Sequence, residues 1–287
     1  MSARHPIIAL TGSSGAGTTT ASRTMQKIFV EESVNVAIVE GDSFHRYTRE
    51  QMAELAQQGR YGQWNHFSLA ANHIDKLEEL FCDYGQNGQG RFRHYIHDDD
   101  MDLIRGGGAP GTFTPWQSLP KQTDCLFYEG LHGGVSTDDY DIASHVDLLI
   151  GVTPIVNLEW IQKIHRDTHD RGYSQEAVVA TILNRMEDYV RCIVPQFSQT
   201  HINFQRVPTV DTSNPFIMRE IPSHDESFVV IRFRNPREVD FPYLINMIAN
   251  AFASRHDTLV VPGNKLALAI DLIIRPMVLE MIERSRT

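Results

Sequence analysis

Short runs of mainly apolar residues alternate with longer amphipathic segments along most of the chain. Such runs, bounded by glycine or polar residues, are typical of strands that are buried on both faces of a sheet. They predict strands at 6–10, 34–39, 125–128, 146–152, 207–210, 228–233 and 258–261. Between them, apolar residues recur at helical spacing, as at Met25, Ile28 and Phe29. The alternation predicts an α/β fold with a doubly wound, mixed but mostly parallel sheet and helices on both faces.

The segment from Tyr84 to Pro120 departs from this pattern. It is rich in glycine and has no clear period. Long loops in compact domains are usually functional, so we expect an excursion over the mouth of the sheet. No repeat, linker or block of charge divides the chain, and residues 1–287 are predicted to form a single domain.

Composition and charge exclude several classes of protein. The chain has 287 residues, 26 Lys and Arg against 36 Asp and Glu, and a formal net charge of −10. An acidic chain disfavours general nucleic-acid binding, and no apolar run approaches the roughly 18 residues of a membrane span. Three widely spaced cysteines give neither a disulfide framework nor a zinc pattern. The first residues lead directly into an apolar run, which predicts a cytoplasmic protein without a secretory signal.

A glycine-rich loop stands between the first predicted strand and the first helix. In this context backbone N–H groups and the helix N-terminus bind phosphate, and a hydroxyl at Thr19 would ligate Mg²⁺. Thr18 stands where the usual motif has lysine, and a glycine turn that opens a helix is also often structural. The loop consists of Gly12, Ser13, Ser14, Gly15, Ala16, Gly17, Thr18, Thr19 and Thr20.

Two acidic residues follow predicted strands at the edge where α/β sheets bind ligands. Asp42 follows the second strand, where a carboxylate accepts a proton from an attacking hydroxyl, and His45 and Arg49 share a face if this stretch is helical. The alternative is an Asp N-cap with a solvated basic turn. Glu129 ends the run Leu126-Phe-Tyr-Glu in the Walker B arrangement, where it would reach a metal. Its alternative is an exposed acid in a turn.

A third cluster of charges lies in a predicted helix with a buried stripe at Leu158, Ile161 and Ile164. Four charged residues fall on the opposite face because their offsets are 0, 3, 4 and 8. A solvated face explains such charges, but three cations around one acid also suit a phosphorylated substrate. The four are Lys163, Arg166, Asp167 and Arg171.

Together these segments resemble the phosphoribulokinases in their bacterial form, over nearly the whole chain. That family phosphorylates O1 of D-ribulose 5-phosphate with MgATP and yields ribulose 1,5-bisphosphate, a Calvin cycle reaction. The segments that carry the resemblance are Thr11-Gly-Ser-Ser-Gly-Ala-Gly-Thr-Thr, Glu40-Gly-Asp-Ser-Phe-His-Arg, Phe127-Tyr-Glu-Gly-Leu-His-Gly, Val156-Asn-Leu-Glu-Trp-Ile-Gln-Lys-Ile-His-Arg-Asp, Ile193-Val-Pro-Gln-Phe-Ser-Gln-Thr and Asp211-Thr-Ser-Asn-Pro-Phe.

The resemblance implies a role for each candidate residue. Asp42 would be the catalytic base, and Lys163 would stabilise the transferring phosphoryl group. Glu129 and Asp167 would be catalytic carboxylates that, with Thr19, hold Mg²⁺. ATP would bind the loop 12–20, and the sugar phosphate would contact His45, Arg49, Arg166 and Arg171.

Bacterial members are oligomers activated by NADH, so the resemblance also implies regulation. An effector site for NADH is expected at Arg232, Arg234 and Arg255, in a homo-oligomer between dimer and octamer. Ala16 replaces the regulatory cysteine of the plant enzymes, so no thioredoxin switch is expected. Asn184-Arg185 stands where some bacterial members have an Arg-Arg pair, within a helix predicted at Ala177–Val190.

Two other functions remain open from the sequence. A uridine- or pantothenate-kinase-like enzyme shares the loop and the strand-end acids, but it would not explain the basic residues paired around a phosphate. A non-catalytic P-loop sensor would explain Thr18, but not the retained Asp42, Glu129 and Asp167.

Overall fold

The computed structural model describes residues 4–13, 17–57, 64–218 and 220–286. The strands are β1 (Ile7–Gly12), β2 (Val36–Glu40), β3 (Arg91–Phe92), β4 (Gln117–Ser118), β5 (Cys125–Gly130), β6 (Leu148–Pro154), β7 (Ile202–Pro208), β8 (Ser227–Phe233), β9 (Phe252–Arg255) and β10 (Thr258–Pro262). The helices are α1 (Thr18–Glu31), α2 (Arg49–Gln57), α3 (Ile74–Asn87), α4 (Met101–Arg105), α5 (Val156–His169), α6 (Gln175–Asp188), α7 (Phe241–Met247) and α8 (Leu266–Arg286).

The described strands include one large sheet in the order β2-β5-β1-β6-β7-β8-β10-β9. In this sheet the four neighbouring pairs among β2, β5, β1, β6 and β7 are parallel. The pairs that involve β8, β10 and β9 are antiparallel. The mixed, mostly parallel sheet of the prediction is therefore confirmed. β1 is the middle one of the five parallel strands, with Leu10 beside Glu129 of β5 and Ile150 of β6. The carboxyl ends of β1, β2, β5 and β6 meet at one edge of the sheet.

Helices cover both faces of the sheet, because successive side chains of a strand point to opposite faces. Ile8 and Leu10 of β1 pack into a core with α1, α7 and α8. Ile7 and Ala9 pack into a second core with α3. Helices therefore pack on both faces, and the fold is doubly wound, as predicted. No helix in the described ranges is both long and apolar enough to cross a membrane.

Some predicted boundaries are wrong. The strand predicted at 207–210 is in fact β7, Ile202–Pro208, in which buried Ile202 and Phe204 alternate with Asn203 and Gln205. This alternation conceals the strand from a search for continuous apolar runs. The helix predicted at 177–190 begins two residues earlier, because the Ser174 hydroxyl caps it by accepting from the Ala177 N–H, and it gives way at Asp188 to a π-helical turn, Tyr189–Ile193.

The predicted excursion also begins later than expected. Tyr84 is fully buried in α3, which ends at Asn87 before Gly88, at a φ of 69°. Residues 88–120 then form a small β3–β4 pair and the short helix α4. The helical spacing of the buried residues Leu77, Phe81 and Tyr84 shows that Tyr84 still belongs to the helix and not to the loop segment that follows it.

Candidate active site

The loop after β1 has the backbone geometry of a phosphate-binding loop on its described residues. Gly17 adopts a φ of 101°, which favours glycine, and α1 begins at the next residue. A Cβ atom at Gly12 would lie 2.6 Å from the Val152 carbonyl oxygen, so a larger residue would push the loop off β6. The predicted ligands Ser14, Gly15 and Ala16 lie outside the described residues.

Thr18, Thr19 and Thr20 form the first turn of α1, which contains no acidic residue. The first N–H groups of a helix lack intrahelical partners and bind anions. The hydroxyl of Ser13 is buried and has no hydrogen-bond partner within 3.5 Å among the described residues; it interacts more weakly with the Glu159 carboxyl. A buried hydroxyl beside a helix N-terminus fits a polyphosphate, so the described residues fit a nucleotide.

Glu129 ends β5 directly beside this loop. Burial raises the pKa of its carboxyl, while a hydrogen bond with Ser22 of α1 opposes the shift. Glu40, at the end of β2, lies in register with Glu129 and adds negative charge there. In the described ranges no cluster of three or more His, Cys, Asp or Glu side chains forms a metal cage. The Glu129 carboxyl and the Thr19 hydroxyl offer the oxygen ligands that Mg²⁺ binds, together with phosphates and water.

Asp42 lies in a 3₁₀ turn, Gly41–Phe44, between two histidine rings. Nε2 of His45 is 3.4 Å from Oδ1 of Asp42, and Nε2 of His97 is 3.8 Å from Oδ2. The Asp42 side chain remains 43% exposed, so a hydroxyl group can approach it. His97 comes from the 88–120 segment and was not among the sequence candidates.

His45 is buried and cannot serve as a cation near neutral pH. Burial lowers its pKa to about 3, and the neighbouring His132 has a pKa lowered to about 4 by the same cause. The ring of His45 stacks on His66 with 3.9 Å between centroids. Any contact of His45 with a sugar phosphate would be a neutral hydrogen bond.

Arg93 fixes the 88–120 segment against the Asp42 turn. Its guanidinium donates to the carbonyl oxygens of Ser43 at 2.9 Å and His45 at 2.5 Å, and it stacks on Phe113 at 3.6 Å. The excursion therefore lies at the mouth of the site, as predicted. The sequence offered no signal for Arg93, because its partners are backbone atoms distant along the chain.

Lys163, Arg166 and Arg171 all contact Asp167, which confirms that these four residues share a face of α5 and its end. Lys163 Nζ lies 2.5 Å from Oδ2, while Arg166 Nε and Arg171 NH1 lie 3.0 Å and 3.2 Å from Oδ1. Burial opposes ionisation of Asp167, but the Lys163 hydrogen bond and the surrounding positive charge outweigh it and lower its pKa. Glu129 is not among these partners, so the metal role of Asp167 stays a prediction.

The two basic regions converge on Asp98. Arg49 pairs with Asp98, and the charge of Arg171 also acts on this carboxylate. Arg185 of α6 adds a further positive charge that reaches both Asp167 and His45. Arg49 thus lies on the segment whose His97 approaches Asp42, while Arg171 contacts Asp167 and acts on Asp98 only through its charge.

A buried acid, Glu159, lies behind the phosphate loop and was missed at the sequence level. Burial raises its pKa to about 7, partly offset by interactions with Ser13 and Tyr189. Glu159 lies one helical turn before Lys163 on α5, and this spacing was the sequence signal that could have identified it as a site residue.

The three expected effector residues lie far from this edge, on the antiparallel end of the sheet. Arg232 of β8 and Arg255 of β9 are both in register with Thr258 of the strand between them. Arg234 follows β8 and donates to the Gln199 carbonyl oxygen at 3.0 Å.

Comparison with known proteins finds relatives along the whole chain. A family model described as "Phosphoribulokinase / Uridine kinase family" matches residues 7–213. The chain is 57% identical over 289 residues to "Phosphoribulokinase, chromosomal" of Cupriavidus necator H16, covering 100% of this chain and 99% of the relative. It is 56% identical over 288 residues to "Probable phosphoribulokinase" of Escherichia coli K12, with the same coverage.

A solved structure is similar in both fold and sequence. "Phosphoribulokinase from Rhodobacter spheroides" superposes with a TM-score of 0.90 at 52% identity and covers 100% of both chains. The sheet order and the edge that carries the candidate residues therefore have an experimental counterpart.

Proposed function

The chain belongs to the phosphoribulokinase/uridine kinase family, and from this membership we propose that it is an ATP-dependent kinase of D-ribulose 5-phosphate. It transfers the γ-phosphoryl group of ATP to O1 of the sugar and releases D-ribulose 1,5-bisphosphate and ADP. Relatives that carry the name phosphoribulokinase align over the full chain at 56–57% identity.

The convergence of Arg49 and Arg171 on the Asp98 carboxylate is the observation that carries the choice of acceptor. Two guanidinium groups around one anionic position suit a phosphate ester, because arginine binds phosphate through paired hydrogen bonds. This position adjoins Asp42 through His97. A bound sugar phosphate would therefore place its far hydroxyl toward the base.

In the proposed mechanism Asp42 accepts the proton of the O1 hydroxyl as the oxygen attacks the γ-phosphorus. The new O1–P bond forms while the bond from the γ-phosphorus to the bridging oxygen of ADP breaks. His45 stays neutral and holds the orientation of the Asp42 carboxylate. General-base catalysis of this kind contributes about 10² to 10⁴ in rate.

Positive charge for the transferring phosphoryl group comes from α5 instead of the loop. Thr18 replaces the usual loop lysine, so Lys163 and Arg166 supply the charge that such transfer requires. Asp167 holds both cations in place, since its carboxylate contacts each of them. Lys163 is largely buried, and burial lowers its pKa against the opposing effect of Asp167.

ATP binds the 12–20 loop in this proposal, and Thr19, Glu129 and Asp167 hold Mg²⁺. The metal, when bound, neutralises the developing charge on the phosphate oxygens. Glu129 is held by Ser22 of α1, and this fixes it beside the loop.

Turnover of ATP with ribulose 5-phosphate, with uridine, and with no acceptor tests the proposal. We expect sugar-dependent release of ADP and formation of the bisphosphate. Equal turnover with uridine would favour the alternative of a nucleoside-kinase-like enzyme, and no turnover with any acceptor would favour a P-loop sensor.

Regulation forms a second part of the proposal. Arg232, Arg234 and Arg255 would bind NADH as an activator in a cytoplasmic homo-oligomer between dimer and octamer. The common register of Arg232 and Arg255 with Thr258 supports a joint anion contact. Neither nucleic acid nor a membrane is proposed as a partner.

A further inference from the structure

Gln196 is a buried amide whose hydrogen-bonding capacity is fully used. It lies in the 3₁₀ turn Val194–Ser198 and is 3% exposed. Its Nε2 donates to the carbonyl oxygens of Leu131 at 2.8 Å and Cys192 at 2.7 Å. Its Oε1 accepts from the Gly134 N–H at 2.9 Å and the Thr11 hydroxyl at 3.3 Å. A carboxamide offers two donors and an acceptor oxygen with two lone pairs, so every position is filled.

These partners belong to three parts of the candidate site. Thr11 is the residue of β1 before the phosphate loop, where it lies in register with Gly130. Leu131 and Gly134 are the first and last residues of the 131–134 turn, which follows β5 and contains His132. Cys192 lies in the π-helical extension of α6, the helix that carries Arg185. One side chain therefore joins the phosphate-loop strand, the turn after the Walker B strand and α6.

The 131–134 turn lies beyond the sheet, so side-chain hydrogen bonds hold it: those of Gln196 are short, and those with Tyr128 and Thr11 are longer, at 3.4 Å each. β5 ends at Gly130, after which strand pairing no longer holds the backbone. His132 extends from the turn toward Asp42, and its Nε2 lies 3.1 Å from the Phe67 carbonyl oxygen. Phe67 follows His66, which stacks on His45. The position of the turn is thus transmitted through direct contacts to the histidine beside the base.

On the side away from the site, side-chain packing against the 131–134 turn is incomplete. A cavity of about 410 Å³ adjoins Gln196, Gly134 and Val135 there. Atoms that line a cavity lose the contacts that would otherwise restrain them. On this side, two of the Gln196 hydrogen bonds, with the Leu131 carbonyl oxygen and the Gly134 N–H, restrain the turn, and the other two tie the amide to Thr11 and Cys192.

We propose that Gln196 is a positioning residue for phosphoryl transfer, which holds the 131–134 turn against the end of β1. It fixes the spacing between the phosphate loop and the Glu129–His132 side of the site. The proposal rests on the proposed kinase function. Gln196 contacts no reacting atom, so its loss acts on kcat more than on the binding of ATP.

The test replaces Gln196 by Glu, which keeps the shape but removes both N–H donors to Leu131 and Cys192. A misplacement near 1 Å costs about 10²-fold in rate. We expect kcat at saturating ATP, ribulose 5-phosphate and Mg²⁺ to fall by about ten- to hundredfold. The KM for ATP should change by less than about threefold, because the loop and the N-terminus of α1 remain intact.

Asn203→Asp is the matched control, since it makes the same amide-to-acid change at a buried site. Asn203 donates to the Phe197 carbonyl oxygen, one residue from Gln196, but does not contact the 131–134 turn. Thermal melts followed by circular dichroism would fix an assay temperature at which both variants are folded. The control should lose stability yet keep kcat within about twofold of the wild type.

Each result supports or overturns the assignment. A folded Gln196→Glu protein with wild-type kcat, or an equal loss in Asn203→Asp, would reduce Gln196 to a purely structural role. If Gln196→Glu does not fold, Thr11→Val removes the hydroxyl that ties β1 to this amide and to the Leu131 carbonyl oxygen, and kcat must then fall several-fold. If the wild-type protein lacks sugar-dependent turnover, that result contradicts the proposed kinase function and not the role of Gln196. The rates of ATP hydrolysis of the same variants are then compared, and the rate must fall in Gln196→Glu alone.

Discussion

The guanidinium of Arg49 binds the carboxylate of Asp98 through two parallel hydrogen bonds, NH1 to Oδ1 at 2.9 Å and NH2 to Oδ2 at 3.1 Å. Arg49 begins α2, and Asp98 lies in the 88–120 segment. The Arg49 N–H also donates to the Gly111 carbonyl oxygen of that segment at 2.8 Å. If Arg49 binds the substrate phosphate as proposed, this carboxylate competes with the phosphate for the guanidinium.

Replacement of Asp98 by Asn should lower the KM for ribulose 5-phosphate, because it removes an anion that competes for Arg49. The pair is exposed, so the effect should be at most about five-fold. Asp99→Asn makes the same change of charge on the adjacent exposed residue and should leave this KM unchanged. Steady-state kinetics at varied sugar concentration measures this KM in both variants. A similar fall in KM in Asp98→Asn and Asp99→Asn would point to an effect of general surface charge.

Replacement of Arg171 by Ala should raise the KM for ribulose 5-phosphate and affect the KM for ATP less. Loss of a charge-assisted hydrogen bond to phosphate costs about 1.5–3 kcal/mol, roughly 10- to 150-fold in affinity. Arg191→Ala is the control, because Arg191 is also exposed and paired with an acid of its own helical segment, Asp188. A larger change in the KM for ATP than for the sugar would contradict the assignment.

Asp42→Asn should lower kcat by about 10²- to 10⁴-fold, since the amide cannot accept the proton of O1. Binding of ATP, measured by calorimetry, should stay near that of the wild type, because Asp42 follows β2 and not the phosphate loop. Glu40→Gln removes a neighbouring carboxylate that lies in register with Glu129. Near-normal turnover of Asp42→Asn would transfer the role of base to another residue.

Glu159→Gln should flatten the dependence of stability on pH. The folded protein holds the Glu159 pKa at about 7, against an ordinary value of 4.5, because the carboxyl is buried. Between these values the unfolded chain releases the proton while the folded chain keeps it, so the free energy of unfolding falls as pH rises. The loss is complete above pH 7 and amounts to about 3 kcal/mol.

Urea unfolding at pH 5 and pH 8 measures this difference between the wild type and Glu159→Gln. The variant should gain stability relative to the wild type at the higher pH. Buried neutral histidines such as His45 titrate in both proteins and cancel in the comparison. Parallel pH profiles of the two proteins would show that Glu159 is ionised in the fold.

NADH should activate the wild type at subsaturating substrate, and Arg255→Ala should abolish the response. Coupling between sites is usually about 1–3 kcal/mol, or roughly 5- to 150-fold in affinity. Arg237→Ala, an exposed arginine just beyond β8, should retain activation. A flat response of the wild type, together with no detectable binding of NADH, would rule out the effector site.

The sequence by itself determined those features that depend on neighbours along the chain. A strand and a helix joined at a glycine required only local propensity, and the structure has β1, α1 and Gly17 with a φ of 101° between them. The common face of Lys163 and Asp167 follows from the helical repeat, which places residues four apart side by side. The doubly wound sheet followed from the alternation of strands and helices.

Only the tertiary structure decided which of these local elements meet. β5 lies beside β1 although more than a hundred residues separate Leu10 from Glu129. The pair Arg49–Asp98, the stack of His45 on His66 and the bonds of Gln196 join segments that no local spacing relates. Burial keeps the ring of His45, a residue that the sequence placed among the sugar-phosphate contacts, neutral, because the cost of desolvating a charge depends on what packs around it. Local sequence therefore determined the strands and helices, and long-range packing determined which side chains meet in the site and which of them carry charge.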